Sequence, residues 1–157
     1  MDKIDLTENT WTESNFDEMG WHDCNVYAIA FSKSKFELLF DIDYILKWID
    51  PVNEGESYMF MVVAATLVFR NVYDINIELN TVDFQILEIG RSNPTRPQNA
   101  GYINENVEYD WTIETTNGLI TFKSVGYTQV ARSEPVLSES QMLELDERGG
   151  VNFGRYL

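Results

Sequence analysis

An alternation of apolar and other side chains runs from Phe36 to Trp48, in the stretch FELLFDIDYILKW. Every even position of this stretch is apolar, and the odd positions include Asp41 and Asp43. Successive side chains of a strand point to opposite faces, so a strand has one wholly apolar face, whereas a helix would mix Asp43 and Lys47 into it. The stretch therefore predicts a strand with Asp41 and Asp43 on a solvated face, roughly 7 Å apart.

Similar patterns predict further strands along the chain. They cover residues 22–31, 58–69, 73–79, 84–89, 107–114, 119–125 and 127–132. The 58–69 stretch is apolar on both faces, which predicts a strand between two layers, or two strands bent at Ala64-Ala65. Asn117-Gly118 between two alternating stretches predicts a hairpin with a type I′ turn, because both centres of that turn need positive φ.

The remaining segments lack this alternation. Residues 1–20 form a lead-in with a short helical turn from Ser14 or Asn15 to Met19. Residues 91–106 contain two prolines and four asparagines, which predicts a long exposed loop. Residues 138–145 fit either a last strand or a short capped helix. Gly149-Gly150 then predicts a free tail.

Short turns link the predicted strands, and no helical pattern of 10–15 residues lies between them. This excludes a βαβ architecture and predicts a mainly all-β fold, an antiparallel β-sandwich or a partly open β-barrel with a short N-terminal helical turn. The 157 residues fit a single globular domain, 1–157. With 44% hydrophobic and 13% aromatic residues, the chain is not generally disordered.

The net charge limits the classes of partner that we expect. The 26 acidic and 11 basic residues give a formal charge of -15. Such a field repels nucleic-acid phosphates and anionic lipids, so we expect neither a nucleic acid nor a membrane partner. It favours basic proteins or cations, or serves solubility alone. Strand edges could pair two copies into a homodimer.

Location follows from features that the sequence does not contain. The N-terminus, MDKIDLTENTW, has no apolar run of the kind found in a signal peptide. The longest apolar run, 59–69, is shorter than the ~20 residues of a spanning helix. A single cysteine, Cys24, allows no intrachain disulfide. The cytoplasm is the default expectation, and no motif predicts a cofactor.

Asp41 and Asp43 are the first candidate site. Two carboxylates on one strand face could hold Ca²⁺ or Mg²⁺, which prefer oxygen ligands, or divide acid and base roles if burial raised one pKa. The competing interpretation is a solvated face on which Lys47 or a cross-strand arginine balances the charge. A third ligand from a neighbouring strand cannot be read from the sequence.

His22 is the only histidine, and with Cys24 it could form a Cys–His nucleophile or part of a metal site. Zinc needs three or four ligands, however, and the chain has no second histidine or cysteine. The competing interpretation is a histidine satisfied at a strand start beside a small core cysteine. In the 91–106 segment, Arg91, Arg96 and Tyr102 could contact an anionic or aromatic group.

Three stretches together resemble a family of small uncharacterised bacterial proteins. They are Trp21-His22-Asp23, residues 41–45 with Trp48, and residues 65–69. The resemblance covers most of the chain from Trp21 onward. It implies a stand-alone bacterial domain, and it carries neither an activity nor site residues.

Two hypotheses of different class follow. The first is a non-catalytic acidic binding protein of a bacterial cell that engages a basic protein partner, for instance as an immunity-type toxin neutraliser. The alternative is a β-barrel that binds a small ligand or divalent cation through Asp41 and Asp43 and could be an enzyme. His22, Asp41, Asp43 and Arg96 are the candidate binding residues, and no catalytic or metal-binding residue is assigned.

Overall fold

The computed structural model describes residues 9–155 as one antiparallel sheet with a few short helices. The first five strands are β1 (Thr10–Thr12), β2 (Cys24–Ser32), β3 (Glu37–Ile49), β4 (Met59–Arg70) and β5 (Tyr73–Leu79). The others are β6 (Gln85–Thr95), β7 (Glu108–Thr115), β8 (Gly118–Ser124), β9 (Gly126–Ala131) and β10 (Val136–Ser138). A 3₁₀ helix (Glu13–Glu18), α1 (Ala100–Ile103) and α2 (Leu145–Arg148) complete the elements. The all-β prediction is confirmed, and the sheet is not closed into a barrel.

The strands lie in the order β1-β9-β4-β3-β2-β6-β7-β8-β5, and β10 also pairs with β4. The contact between β2 and β6 is short, with only Cys24 opposite Ile86 and Asn25 opposite Gln85. This narrow contact divides the sheet into a half containing β3 and β4 and a half containing β7 and β8. None of the helices in residues 9–155 is long and apolar enough to cross a membrane.

The core lies where the two halves of the sheet face each other. The Phe69 ring on β4 lies 5.1 Å from Trp111 on β7 and 4.7 Å from Phe122 on β8, measured between ring centroids. From β3, the even-numbered Phe40 and Ile42 are fully buried in the same cluster. The predicted apolar face is therefore the core face from Leu38 to Tyr44. Phe36 lies outside β3 with a φ of 55°, and Trp48 follows a register shift between Ile45 and Lys47, and both of these side chains are exposed.

The lead-in contains the predicted helical turn, as the 3₁₀ helix Glu13–Glu18. Its N-cap is Thr12, whose hydroxyl accepts a hydrogen bond from the Ser14 amide, while the Asn15 side chain accepts one from the Thr12 amide. This reciprocal pair satisfies amides that have no partner within the helix. The cap thus lies two residues before Ser14, the earlier of the two predicted start positions.

Bulges account for two differences from the predicted strands. In β2 the register shifts between Val26 and Ala28, so the predicted alternation through Tyr27 does not hold along the whole strand. In β6 the strand continues to Thr95, so residues 91–95 of the predicted long loop are strand. A register shift between Ser92 and Thr95, with Asn93 at a φ of 53°, interrupts the alternation there and hides the strand.

The C-terminal part differs more. Residues 138–145 are neither the predicted strand nor the predicted helix, because β10 ends at Ser138 and α2 begins only at Leu145. Gly149 and Gly150, with φ of 77° and 78°, end α2 but do not free the tail. The residues after them turn back onto the sheet. The predicted bend at Ala64-Ala65 is also absent, since β4 is one continuous strand.

The predicted hairpin between β7 and β8 is present with a different turn. Thr115 pairs with Gly118, so the turn centres are Thr116 and Asn117, and neither has positive φ. Gly118 itself has a φ of 151° and lies against β5. A Cβ atom at this position would lie 1.8 Å from the backbone oxygen of Glu78. The glycine therefore serves close approach of β5 as well as the turn.

Substituting Gly118→Ala should lower the free energy of unfolding by about 3 kcal/mol, because the change combines a strained backbone conformation with a backbone clash. Urea unfolding measures the loss. Gly90→Ala is the matched control on β6, where a Cβ atom would have open space. Equal stability of the two variants would contradict the assigned packing of β5 on the turn.

Candidate functional site

Asp41 and Asp43 lie in the interior, and the expectation of a solvated face is wrong. Both residues are 0% exposed. The alternation of β3 is as predicted from Leu38 to Tyr44, before a register shift between Ile45 and Lys47. The face opposite the aromatic core, however, is covered by the chain from Leu143 to Arg155, named here the C-terminal segment. The two carboxylates are therefore enclosed between the sheet and this segment.

Arg148 at the end of α2 is the main partner of both carboxylates. Its Nη1 and Nη2 donate to the two oxygens of Asp41 at 2.8 and 2.7 Å, and its Nε donates to Oδ1 of Asp43 at 2.9 Å. The same guanidinium donates to the backbone oxygens of Ile42 and Gly150. Its central carbon lies 4.0 Å from the ring centroid of Tyr27. Burial disfavours its charge, but the bonds to Asp41 and the charge of Asp43 raise the pKa of Arg148 above its ordinary value.

The C-terminal segment supplies further donors to the same carboxylates. The backbone amide of Leu143 donates to Oδ2 of Asp43 at 2.8 Å, and that of Asn152 donates to Oδ2 of Asp41 at 2.9 Å. From the end of β9, Arg132 Nη2 donates to Oδ1 of Asp41 at 2.7 Å. These bonds tie the segment directly to β3.

Two more contacts extend the attachment along the sheet. The Thr66 hydroxyl on β4 donates to the backbone oxygen of Gly154 at 2.6 Å. Arg155 forms an ion pair with Glu37 at the start of β3, with Nη1 donating to Oε2 at 3.1 Å. A row of polar side chains on one sheet face thus holds the segment from end to end.

These contacts leave Asp41 and Asp43 no free oxygen for a ligand. All four carboxylate oxygens accept hydrogen bonds from donors of this chain. Burial raises the pKa of Asp43, against the opposing effects of the Leu143 amide and Arg148. Within residues 9–155, no group of three or more His, Cys, Asp or Glu side chains could hold a metal ion. The pair has a structural role in this arrangement.

His22 and Cys24 do not meet. The thiol of Cys24 is buried in the core, and this burial raises its pKa to about 12, so it is a neutral thiol at physiological pH. The His22 imidazole is exposed, with Nδ1 3.2 Å from Oδ2 of Asp23. Asp23 has a φ of 65° before the strand begins, so the strand alternation does not separate these two neighbours.

The candidates of the 91–106 segment also separate. Arg96 is exposed and donates to Oδ1 of Asn106 at 3.2 Å, and Tyr102 is 95% exposed on α1. Arg91 belongs to β6, opposite Trp111, and contacts aromatic rings of the core. The structure therefore does not gather His22, the Asp41–Asp43 pair and Arg96 into one site.

The charges left on the surface are mostly acidic. Arg70, Arg132, Arg148 and Arg155 all form ion pairs with acids of this chain. Many acidic side chains, by contrast, are exposed without an ion pair to residues 9–155. They are Asp17, Glu18, Asp50, Glu54, Glu56, Asp74, Glu78, Asp83, Glu88, Glu114, Glu134, Glu139, Glu144, Asp146 and Glu147.

Three of these acids form a row across the outer face of the second half-sheet. Glu88 on β6 is directly opposite Glu114 on β7, Glu114 is opposite Leu119 on β8, and Leu119 is opposite Glu78 on β5. Their strand neighbours Ile89, Ile113 and Ile120 are buried on the inner face. We call Glu78, Glu88, Glu114 and Leu119 the acidic row.

The acidic row differs from the charges closer to the other end of the same strands. There, Asp110 on β7 pairs with Lys123 on β8 at 2.8 Å and also accepts a hydrogen bond from Asn93. These bonds, first that of Asn93 and then that of Lys123, lower the pKa of the Asp110 carboxyl. Among residues 9–155 the acidic row has no such cation, and like charges directly opposite each other destabilise a sheet. It is therefore the best candidate for an interaction surface.

Comparison with known proteins gives no match among family models, curated proteins or solved structures. The resemblance to small bacterial proteins therefore stays a prediction. Function has to be argued from the surface of the chain.

The buried ion pairs make a stability prediction. Arg148→Met should lower the free energy of unfolding by about 3–5 kcal/mol, because it leaves two buried carboxylates with one cation. The double variant Arg148→Met with Asp43→Asn should be more stable than the single variant, since Arg132 then balances Asp41 alone. Urea unfolding of both measures the difference.

Arg96→Met, which removes an exposed arginine, is the control and should change the unfolding free energy by less than about 1 kcal/mol. If the Arg148→Met variant has the same unfolding free energy as this control, the assignment of the buried network is wrong.

Proposed function

We propose that this chain is a non-catalytic acidic binding protein that engages a basic protein partner through the acidic row. The observation that carries the proposal is the unbalanced row itself, Glu88 opposite Glu114 with Glu78 two strands away. A partner that places lysine or arginine side chains over the row removes a repulsion that the free chain bears. Binding is then favoured beyond the attraction of net charge alone.

The distribution of arginines supports this proposal. Because Arg70, Arg132, Arg148 and Arg155 are engaged by acids of the chain, they contribute little positive charge to the outside. The formal charge of -15 is thus expressed largely at the surface. A field of one sign raises the association rate with a cationic partner and weakens as salt is added.

Leu119 would supply apolar contact area. It lies within the row and is 39% exposed. Apolar contact within a charged surround is a common composition for a protein interface.

The concrete form of the proposal is an immunity-type protein of a bacterial cell that neutralises a cationic toxin. The resemblance to small bacterial proteins supports the bacterial setting, and the charge supports fast capture of such a partner. The alternative of a ligand or cation bound at Asp41 and Asp43 has no support in the geometry, because both carboxylates are enclosed and bonded.

The test is capture of partners from lysate of the native host by three forms of the protein, followed by affinity measurement with the purified partner. The row variant carries Glu78→Gln, Glu88→Gln and Glu114→Gln. The control carries Glu54→Gln, Glu134→Gln and Glu139→Gln, which changes the net charge equally at exposed acids elsewhere. We expect a basic partner whose affinity falls with salt and falls about tenfold in the row variant, as three surface ion pairs at roughly 0.5 kcal/mol each imply.

The control variant should retain most of the affinity, because its charge change lies outside the contact. Equal losses in the two variants would show that net charge alone acts and that the acidic row is not the interface. A partner that is not basic, or an affinity that is indifferent to salt, would contradict the proposal as a whole.

A further inference from the structure

Arg91 occupies an unusual environment on the inner face of the second half-sheet. Its guanidinium carbon lies 4.4 Å from the ring centroid of Phe16, 4.6 Å from that of Tyr109 and 5.8 Å from that of Trp111. Contacts between a guanidinium and aromatic faces are attractive, and here they come from three rings. The side chain is therefore held in place by packing.

The N–H groups of Arg91 are not engaged in the same way. They make no hydrogen bond or ion pair with any residue of 9–155, whereas Arg70, Arg132, Arg148 and Arg155 all bind carboxylates. Even the exposed Arg96 donates to an asparagine. Within residues 9–155, Arg91 is thus the arginine whose guanidinium is held by contacts of its flat faces with aromatic rings, while its N–H groups have no hydrogen-bond partner.

Arg91 lines a cleft of about 380 Å³. Its lining combines Arg91 with the apolar groups of Val107, Tyr109 and Val125 and with the polar Asn104. The volume lies within the range of small-molecule sites.

The two carboxylates of the cleft are already paired. Glu13 and Glu105 also line it, and both bind Nη2 of Arg70, at 2.9 and 3.3 Å. One guanidinium offsets only one of the two carboxylate charges, so Arg91 is the second cation that makes the cleft neutral. What Arg91 offers a ligand is its N–H donors, which have no partner within residues 9–155.

We propose that this cleft binds a small organic carboxylate, with the guanidinium of Arg91 as its anchor. A guanidinium presents parallel N–H donors that match the two oxygens of a carboxylate. Because the rings already fix the side chain, little further conformational entropy is lost on binding. The apolar body of the ligand then contacts Val107 and Val125.

The negative electrostatic field of the whole protein favours a ligand with a single negative charge over one with two. At a formal charge of -15, a dianion such as phosphate meets about twice the long-range repulsion of a monoanion. A monocarboxylate with a short branched apolar body fits both the anchor and the lining. The cleft lies on the inner side of the sheet, so this site is independent of the acidic row.

The test uses isobutyrate as the probe and isobutyramide, its neutral isostere, as the matched control. Binding is followed by NMR through the Nε–Hε resonance of Arg91 and by Trp111 indole shifts. We expect a saturable shift with isobutyrate at millimolar concentrations, no saturation with isobutyramide, and weaker binding of inorganic phosphate. Equal responses to the acid and the amide would overturn the proposal, and tighter binding of phosphate would overturn the choice of carboxylate.

Arg91→Met keeps an unbranched side chain against the rings and removes the donors, so it should weaken isobutyrate binding at least tenfold. Arg96→Met is the control and should bind as the wild type does. Retained binding in Arg91→Met would place the ligand elsewhere and refute the assignment. If Arg91→Met does not fold, the wild-type comparison of acid and amide decides the proposal by itself.

Discussion

Two buried carboxylates that share one buried guanidinium determine how the C-terminal segment is held on the sheet. Asp41 and Asp43 point away from the aromatic core, and without a cation their charges would be very costly in the interior. Arg148 balances them from a position more than 100 residues further along the chain, with Arg132 as the second cation. The backbone amides of Leu143 and Asn152 complete the hydrogen bonding. The C-terminal segment is thus fixed by polar contacts on one sheet face, while the opposite face carries the apolar core.

This arrangement also shapes the surface. Each arginine that pairs with a buried acid has its positive charge offset within the chain, so the charges that remain at the surface are more uniformly acidic than the composition suggests. The acidic row on the second half-sheet lies away from these internal pairs, and no residue of the described range 9–155 supplies it with a cation. Arg91 differs from these arginines, because aromatic rings rather than carboxylates hold it. The two proposals therefore concern a row of acids without a cation and an arginine whose N–H donors have no partner, both judged within residues 9–155.

Local patterns predicted the strands well, because burial of one face imposes a period of two. The apolar even positions of the 36–48 stretch and the hairpin at Asn117-Gly118 are examples. The same pattern could not distinguish a solvated face from a second buried face, since acidic residues at positions 41 and 43 give the same alternation in both cases. Their partner Arg148 stands in the polar run LDERGG, which gives no signal of burial. Bulges hid the strand at residues 91–95, and the acidic row emerges only from the register between strands.

Amide hydrogen exchange of Leu143 and Asn152 tests the attachment of the C-terminal segment to the sheet most directly, because both backbone amides donate to buried carboxylates. We predict that both amides exchange at least about a hundredfold more slowly than those of an unstructured peptide of the same sequence. In the Asp41→Asn variant, the exchange rate of the Asn152 amide should rise more than the exchange rates of the β3 amides. Exchange at the unstructured rate in the wild type would mean that the segment does not cover the sheet, and the account of the buried carboxylates would be wrong.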